Sequence, residues 1–210
     1  MSPDLIFDGP QDAAATVILT HGAGAGMDTP FMETFAQGLA AQNLRVGRFE
    51  FPYMKTVRET GRRRPPDREP ILLRAWEEVI DSLDAKPLLI GGKSLGGRIA
   101  SMVADKKQVT GLICLGYPFH PPGKPDRLRT EHLRSLETPA LICQGSRDPF
   151  GTAEEVARYD LPAGIRLHWL GDGDHSFNPR KRSGRSIEQN WQEAIEAVVN
   201  FINDINDLDR

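Results

Sequence analysis

The chain has 210 residues, of which 39% are hydrophobic and 26% charged, and its formal net charge is -3. This length and composition are typical of one globular domain, here residues 1–210, with a substantial hydrophobic core. The slightly acidic charge argues against a nucleic-acid partner, and no run of about 20 apolar residues that could span a membrane occurs in the sequence.

The beginning of the chain supports two expectations. Met1–Leu5 lacks a basic start followed by a long apolar stretch, so we expect a cytoplasmic protein without a signal peptide. Leu5–Phe7 is a weak candidate for a strand at the edge of a sheet.

Beyond it, apolar runs of strand length alternate with segments of helical periodicity. The predicted strands are Ala15–Thr20, Leu44–Phe51, Pro87–Gly91, Gly111–Tyr117, Ala140–Gln144 and Arg166–Leu170. The predicted helical faces are Phe31, Phe35 and Leu39; Leu72, Trp76, Val79 and Leu83; and Trp191, Ile195, Val198 and Ile202. Near-continuous apolar strands are typical of parallel sheets covered on both faces. The pattern therefore predicts an α/β fold with a doubly wound, mostly parallel sheet of about six to seven strands.

Small residues follow the strand that ends at position 20, in the segment His21–Gly26, which we call the glycine loop. Small side chains let backbone N–H groups approach a substrate carbonyl closely, so we assign one oxyanion donor to Ala23, with Gly24 as its substitute. A dinucleotide-binding G-x-G-x-x-G pattern would need its third glycine at Met27, and it therefore fits poorly. His21 is predicted to tie the loop by a hydrogen bond.

The segment Met54–Arg68 is polar and shows no periodicity, so it is predicted to be a long loop after a strand. It contains three consecutive arginines, Arg62, Arg63 and Arg64. We expect this loop at the carboxyl edge of the sheet.

The sequence Gly92-Lys93-Ser94-Leu95-Gly96 directly follows one predicted strand and precedes a helix-like stretch, Leu95–Asp105. G-x-S-x-G in this setting predicts a sharp turn that presents a nucleophilic serine, because side chains two residues to either side would collide with the neighbouring strand and helix. Ser94 is therefore the predicted nucleophile, the N–H of Leu95 the second oxyanion donor, and Lys93 a substrate contact. A phosphate-binding loop would need a glycine at Pro87.

Two later loops supply a base and an acid. Asp148 and His175 each follow a predicted strand, so both are expected at the same sheet edge as Ser94. There His175 would accept the proton of Ser94, and Asp148 would fix the imidazole tautomer. Asp172 and Asp174 flank His175 and are rival acids, ranked lower because neighbours in sequence more often point apart.

The remaining predictions concern substrate contacts and cofactors. Phe150 lies two residues past Asp148, and His120 begins a stiff, proline-rich turn after a strand; both are predicted substrate contacts. Cys114 and Cys143 lie inside apolar runs without further ligands nearby, so we expect buried thiols and neither a metal nor another cofactor.

From the glycine loop to the closing helix, the chain resembles the α/β-hydrolase superfamily. It looks most like the compact lidless branch, with a minimal cap, that is related to dienelactone hydrolases and to testis-expressed and NSL-complex hydrolase-like proteins. The order Ser94, Asp148, His175 is that of α/β-hydrolases. Dienelactone hydrolases use a cysteine where this chain has Ser94, so their substrate is not carried over. The matching stretches are Gly92–Arg98, Gly116–Gly123, Gln144–Asp148 and Gly173–Phe177.

Residues and resemblance together imply a serine hydrolase that cleaves ester or thioester bonds of small acyl substrates through an acyl-enzyme. A catalytically weak or inactive hydrolase-like scaffold is the alternative, and peptidase and haloperoxidase variants stay open. The basic groups Arg62–Arg64 and Arg180–Arg185 would favour an anionic substrate if both border the pocket; two solvated loops are the other interpretation. We expect no nucleic-acid or membrane partner, and a monomer or homodimer.

Overall fold

A computed structural model describes residues 4–208 of the chain, with side chains up to residue 206. Seven strands form one sheet in the order β1-β3-β2-β4-β5-β6-β7. β1 is antiparallel to β3, and the other neighbouring strands are parallel. This arrangement confirms the predicted doubly wound, mostly parallel α/β fold. The strands are β1 Ile6–Asp8, β2 Thr16–Thr20, β3 Arg45–Phe49, β4 Leu88–Lys93, β5 Gly111–Leu115, β6 Ala140–Gly145 and β7 Ile165–Leu170.

Helices cover both faces of the sheet. They are α1 Pro30–Ala40, α2 Pro52–Thr60, α3 Glu69–Asp81, α4 Leu95–Ser101, α5 Ala104–Lys107, α6 Ala153–Val156 and α7 Ile187–Leu208, with short 3₁₀ helices at Glu131–Ser135 and Lys181–Ser183. The predicted helix-like stretch Leu95–Asp105 is thus interrupted between α4 and α5. Within the described residues, no helix combines the length and apolar character needed to cross a membrane.

Two hydrophobic cores lie on opposite sides of the sheet. Val17 and Leu19 of β2 pack with α1 and α7 on one side, and Ile18 packs with α3 and α4 on the other. This alternation follows from the two-residue period of a strand, and burial on both faces explains why the three central residues of β2 are all apolar. The predicted helical faces supply the helix side of both cores, except that Trp191 and Leu83 are only partly buried and Leu83 lies just beyond the end of α3.

Residues 52–60 are helical, so the prediction of a loop over Met54–Arg68 is wrong for its first half. Pro52 occupies the first helical turn, where its missing N–H costs nothing, and Gly61, at a φ of 67°, closes the helix in the left-handed conformation. Tyr53 and Met54 are buried. Because α2 has only nine residues and few of them are apolar, its sequence does not show a helical period. Residues 61–68 have neither helix nor strand.

The predicted strand Leu44–Phe51 ends earlier, at Phe49, because residues 50 and 51 already lead into α2. The N–H of Phe51 donates to His21 Nε2 at 3.1 Å instead of to a neighbouring strand. This bond joins the carboxyl ends of β2 and β3 and brings the start of α2 behind the glycine loop.

Candidate active site

Ser94 lies on a strained turn between β4 and α4. Its φ of 51° and ψ of -111° fall in a region that residues other than glycine rarely occupy. A Cβ at position 92 would lie 2.1 Å from the carbonyl oxygen of Thr20, and a Cβ at position 96 would lie 2.5 Å from the same atom. The steric reason for glycine on both sides of the serine is therefore visible in the fold.

Three distant segments meet at this turn. Ser94 Oγ lies 2.8 Å from His175 Nε2, and His175 Nδ1 lies 2.7 Å from Asp148 Oδ2. An ionised carboxylate can only accept, so Nδ1–H donates to Asp148, and Nε2 is left to accept the serine proton. The carboxylate is completely buried, whereas the imidazole side chain is 22% exposed. The predicted serine, histidine and aspartate thus form one continuous hydrogen-bonded path.

Asp148 is held by two further donors. Its Oδ1 accepts the N–H of Phe150 at 2.9 Å, and its Oδ2 accepts Gln144 Nε2 at 2.9 Å. Gln144 is itself fully buried, and its Nε2 also lies 3.2 Å from the carbonyl of Gly151. Gln144 is not among the predicted site residues; the signal that could have indicated it is a polar residue in an otherwise apolar strand, four residues before the acid.

The two rival acids bind other groups. Asp172 forms ion pairs with Arg147 and Arg180. Asp174 Oδ1 accepts the backbone N–H groups of Ser176 at 2.8 Å and Asn178 at 3.0 Å. Both carboxylates therefore shape the loop that carries the histidine, while a different carboxylate contacts the imidazole.

The first turns of α7 hold the same loop from outside. The buried Asn190 donates through Nδ2 to the carbonyls of Phe177, at 2.7 Å, and Gly171, at 3.1 Å. Trp191 Nε1 donates to the carbonyl of Ser176 at 2.9 Å. The position of His175 thus depends on side chains of the last helix.

Lys93 turns inward beneath the histidine. Its Nζ donates to the carbonyl oxygen of His175 and lies 5.1 Å from the ring centroid of Phe31. Burial lowers the pKa of Lys93 to about 8, although Asp148 and Asp174 favour its charged form. Lys93 therefore brings a cation to the base of the histidine loop.

The imidazole experiences opposing influences. Burial is the largest and lowers the pKa of His175, the hydrogen bond with Asp148 raises it, and the Lys93 cation lowers it further. The net shift is downward. The neutral imidazole, which can accept a proton, is consequently the form that prevails at neutral pH.

A cavity of about 380 Å³ opens beside Ser94. Lys93 and Phe150, two of the predicted substrate contacts, line it, and the Phe150 ring stacks on the imidazole of His175 with a centroid distance of 4.2 Å. The remaining lining residues are mostly small or apolar: Gly22, Ala23, Gly24, Ala25, Gly26, Thr29, Phe31, Met32 and Ser176.

His120, the third predicted substrate contact, does not line this cavity, which corrects that prediction. The side chain is enclosed by its own turn: His120 is 2% exposed, and its Nδ1 lies 2.9 Å from the carbonyl oxygen of Pro121. Its Nε2 lies 3.5 Å from Glu155. The strand end brings this turn to the expected edge of the sheet, but the imidazole points into the protein.

The predicted oxyanion donors have free N–H groups. Within residues 4–208, the N–H groups of Ala23, Gly24 and Leu95 donate to no protein acceptor. Leu95 begins α4, so its N–H has no partner inside the helix and lies at the positive end of the helix dipole. Ala23 and Gly24 line the cavity beside the serine.

The predicted hydrogen bond of His21 is confirmed. Because His21 Nε2 accepts the N–H of Phe51, its Nδ1 carries the proton and donates to the carbonyl of Gly22 at 2.7 Å. Burial lowers the pKa of His21, which keeps this neutral tautomer. His21 thus connects the start of α2 to the glycine loop.

The two basic groups do not converge on the serine. Arg63 and Arg64 line a second cavity of about 480 Å³ that shares Ala23–Gly26 with the first. Arg180 pairs with Asp172 and Arg185 with Glu193, and neither lines either cavity. The condition for an anionic substrate, that both basic groups border the pocket beside Ser94, is therefore not met.

Cys114 and Cys143 are free and fully buried, as predicted. Burial raises the pKa of Cys143 to about 12 and raises that of Cys114 as well, so both thiols stay protonated. In the part of the chain that the structure describes, no three histidine, cysteine, aspartate or glutamate side chains are grouped to hold a metal ion.

The chain is similar to known alpha/beta hydrolases in sequence and in fold. A family described as "Alpha/beta hydrolase domain" matches residues 13–203. The fold is similar to that of a serine hydrolase homologue from Coxiella burnetii, with a TM-score of 0.71 and 18% identity over 92% of this chain and 90% of that one. It is also similar to a serine hydrolase without a lid from Xanthomonas campestris, with a TM-score of 0.70 and 20% identity over 94% and 88%. A dienelactone hydrolase from Anabaena variabilis gives a TM-score of 0.68 and 21% identity over 91% and 88%.

Proposed function

Since this chain belongs to the alpha/beta hydrolase family, we propose that it is a serine hydrolase of the lidless branch that cleaves carboxylic ester or thioester bonds of small acyl substrates. The observation that carries the proposal is the unbroken path from Ser94 Oγ through His175 to the buried carboxylate of Asp148, with steps of 2.8 and 2.7 Å. A serine hydroxyl is a weak nucleophile unless an adjacent base removes its proton, and this path supplies the base.

In the proposed acylation, Ser94 Oγ attacks the substrate carbonyl carbon while His175 Nε2 takes the hydroxyl proton. The tetrahedral intermediate collapses as the carbon–oxygen or carbon–sulfur bond to the leaving group breaks and His175 returns the proton to that group. Water then attacks the acyl-enzyme by the same route, with His175 again as the base, and releases the acid and free Ser94. Asp148 holds the imidazole tautomer throughout and stabilises the transient imidazolium.

The oxyanion formed in both steps needs donors that already face it. The N–H of Leu95 and that of Ala23 or Gly24 are the proposed donors, because they are free of protein acceptors, Leu95 directly follows the serine, and Ala23 and Gly24 line the cavity beside it. Such preorganised donors are often the largest single contribution to catalysis.

The dimensions of the cavity favour a small acyl group. At about 380 Å³ it is at the lower end of typical ligand sites, and Phe31, Met32 and Phe150 give it an apolar lining. We assign Phe150 as a substrate contact. Lys93 remains a candidate contact, although the direction of its Nζ toward the histidine loop favours a supporting role.

The test is labelling with a fluorophosphonate probe followed by a panel of esters and thioesters of graded acyl length. We expect labelling of the wild-type protein at Ser94, loss of labelling in Ser94→Ala, and unchanged labelling in the exposed control Ser135→Ala. Asp148→Asn should lower kcat by about 10⁴-fold, because the asparagine favours the wrong imidazole tautomer. Short acyl chains should be cleaved faster than long ones. Folded wild-type protein that neither reacts with the probe nor hydrolyses any panel member would favour the inactive binding protein instead.

A further inference from the structure

Two carbonyl groups of the glycine loop point away from the cavity and toward a buried tyrosine. Tyr53 Oη lies 3.2 Å from the carbonyl oxygen of Gly22 and 3.2 Å from that of Ala23. His21 Nδ1 donates to Gly22 but not to Ala23. Among the described residues, Tyr53 is therefore the donor available to the Ala23 carbonyl.

The direction of these carbonyls fixes the direction of two N–H groups. In a trans peptide unit, the C=O of one residue and the N–H of the next point to opposite sides. Binding the Gly22 carbonyl from behind turns the N–H of Ala23 forward, and binding the Ala23 carbonyl does the same for the N–H of Gly24. Both residues line the cavity beside Ser94.

We propose that Tyr53 is a positioning residue of the oxyanion hole: its single O–H proton, shared between the carbonyls of Gly22 and Ala23, holds the loop peptides so that the N–H groups of Ala23 and Gly24 face the reacting carbonyl. This inference rests on the proposed hydrolase function and extends it to a side chain that does not touch substrate. It matters most for Gly24, because glycine tolerates many backbone conformations and a loop of alternating glycine and alanine does not hold one by itself.

The surroundings of Tyr53 suit this role. The side chain is fully buried on the first turn of α2, and its ring stacks against Phe51, with the edge of His21 nearby. Burial raises the pKa of Tyr53, so the hydroxyl keeps its proton and stays a donor across the working pH range. The hydroxyl is thereby presented to the loop from a fixed position in the core.

The test compares Tyr53→Phe with Tyr117→Phe. Tyr117 is also fully buried, and its hydroxyl also donates to a backbone carbonyl, that of Arg129 at 2.9 Å. The two variants therefore lose the same kind of bond. We expect Tyr53→Phe to lower kcat by about tenfold, less than the 10²–10³ typical of removing an oxyanion donor outright, with KM within about twofold of wild type. Tyr117→Phe should leave both constants unchanged.

A second measurement does not depend on a variant folding. In a crystal structure of wild-type protein with a trifluoromethyl ketone bound to Ser94, we expect the ketone oxygen within hydrogen-bond distance of the N–H groups of Leu95 and of Ala23 or Gly24, with Tyr53 still bound to the loop carbonyls. Equal kcat in wild type and folded Tyr53→Phe, or a loop carbonyl turned toward the ketone oxygen, would overturn the positioning role alone. Wild-type protein that fails to react with the ketone and with the fluorophosphonate would overturn the hydrolase function itself.

Discussion

At the scale of single residues, the site depends on keeping one imidazole neutral beside a carboxylate and a cation. The charged groups that act on His175 are Asp148 and Asp174, which favour the imidazolium, and Lys93, which opposes it. Because burial adds to the effect of Lys93, the net pKa is lowered. A base that is neutral at rest can take the serine proton without first losing its own.

The expected pH dependence follows from this sign. The proposed mechanism requires neutral His175, so activity should be full at neutral pH and fall as the pH drops through a pKa below the ordinary value of about 6.5. Lys93→Met removes a cation that lowers this pKa, and the acid limb of kcat/KM should therefore move to higher pH. The control Lys106→Met removes an exposed lysine paired with Glu77 on α3 and should leave the limb in place.

Profiles of kcat/KM against pH check both statements. They are read on the acid side, well below the pKa of about 8 that burial gives Lys93, so that Lys93 carries its charge. A lower overall rate is also expected in Lys93→Met, because the His175 carbonyl loses its donor. If the acid limb of Lys93→Met stays at the wild-type pH or moves to lower pH, the assigned influence of the cation is contradicted, whatever the change in rate.

At the scale of elements, the turn between β4 and α4 dictates how closely the neighbouring chain can approach. A Cβ at Gly96 would lie 2.5 Å from the carbonyl oxygen of Thr20 and 2.8 Å from that of His21, both backbone atoms with little room to move. The same contact that forbids a side chain brings the glycine loop next to Ser94. Close packing here is therefore part of how the site is assembled.

Gly96→Ala should lower the free energy of unfolding by about 1–3 kcal/mol, as overpacking does elsewhere, and should also lower kcat because it pushes the glycine loop away from the serine. Gly164→Ala is the matched control, since a Cβ there meets nothing within 4 Å. Chemical denaturation and steady-state kinetics on both variants test this. A Gly96→Ala protein as stable and as active as the control would show that the loop can retreat at no cost.

The elements differ in how well the sequence predicts them. The central strands were predictable because burial on both faces leaves a run of apolar residues, as in β2. α2 was not, because its buried face consists of little more than Tyr53 and Met54 and most of its other side chains are polar. The predicted strand ends agree with the observed ones to within a few residues. This is sufficient to predict that Asp148 and His175 lie at the same edge of the sheet as Ser94.

The same difference applies inside the site. Ser94, Asp148 and His175 follow from a motif and from strand ends, both of which are local properties of the chain. Gln144 and Tyr53 act through side-chain hydrogen bonds to other segments of the chain, to Asp148 and to the glycine loop. The turn of His120 lies at the predicted edge of the sheet, but its imidazole points inward. Side-chain direction depends on packing that no local pattern encodes.

At the scale of the whole molecule, the sheet is shared by both hydrophobic cores. Leu39 of α1 belongs to one core and Leu72 of α3 to the other, and both are buried. Because β2 to β7 each contribute buried side chains to both cores, we propose that the two layers unfold together as one domain.

Leu39→Ala and Leu72→Ala should each lower the free energy of unfolding by about 2–5 kcal/mol. The double variant should lose the sum of the two within about 0.5 kcal/mol and still unfold in a single transition, because the leucines share no contact across the sheet. Urea titrations followed by fluorescence and by circular dichroism test this prediction. Two separate transitions, or probes that disagree on the midpoint, would instead indicate two independently unfolding layers.

The hold of Asn190 and Trp191 on the histidine loop has a consequence for the order of synthesis. Ser94, Asp148 and His175 are all translated before α7, yet the loop of His175 gains its outer support from that helix. A chain in which α7 has not yet packed against this loop should therefore carry all three side chains without the finished geometry.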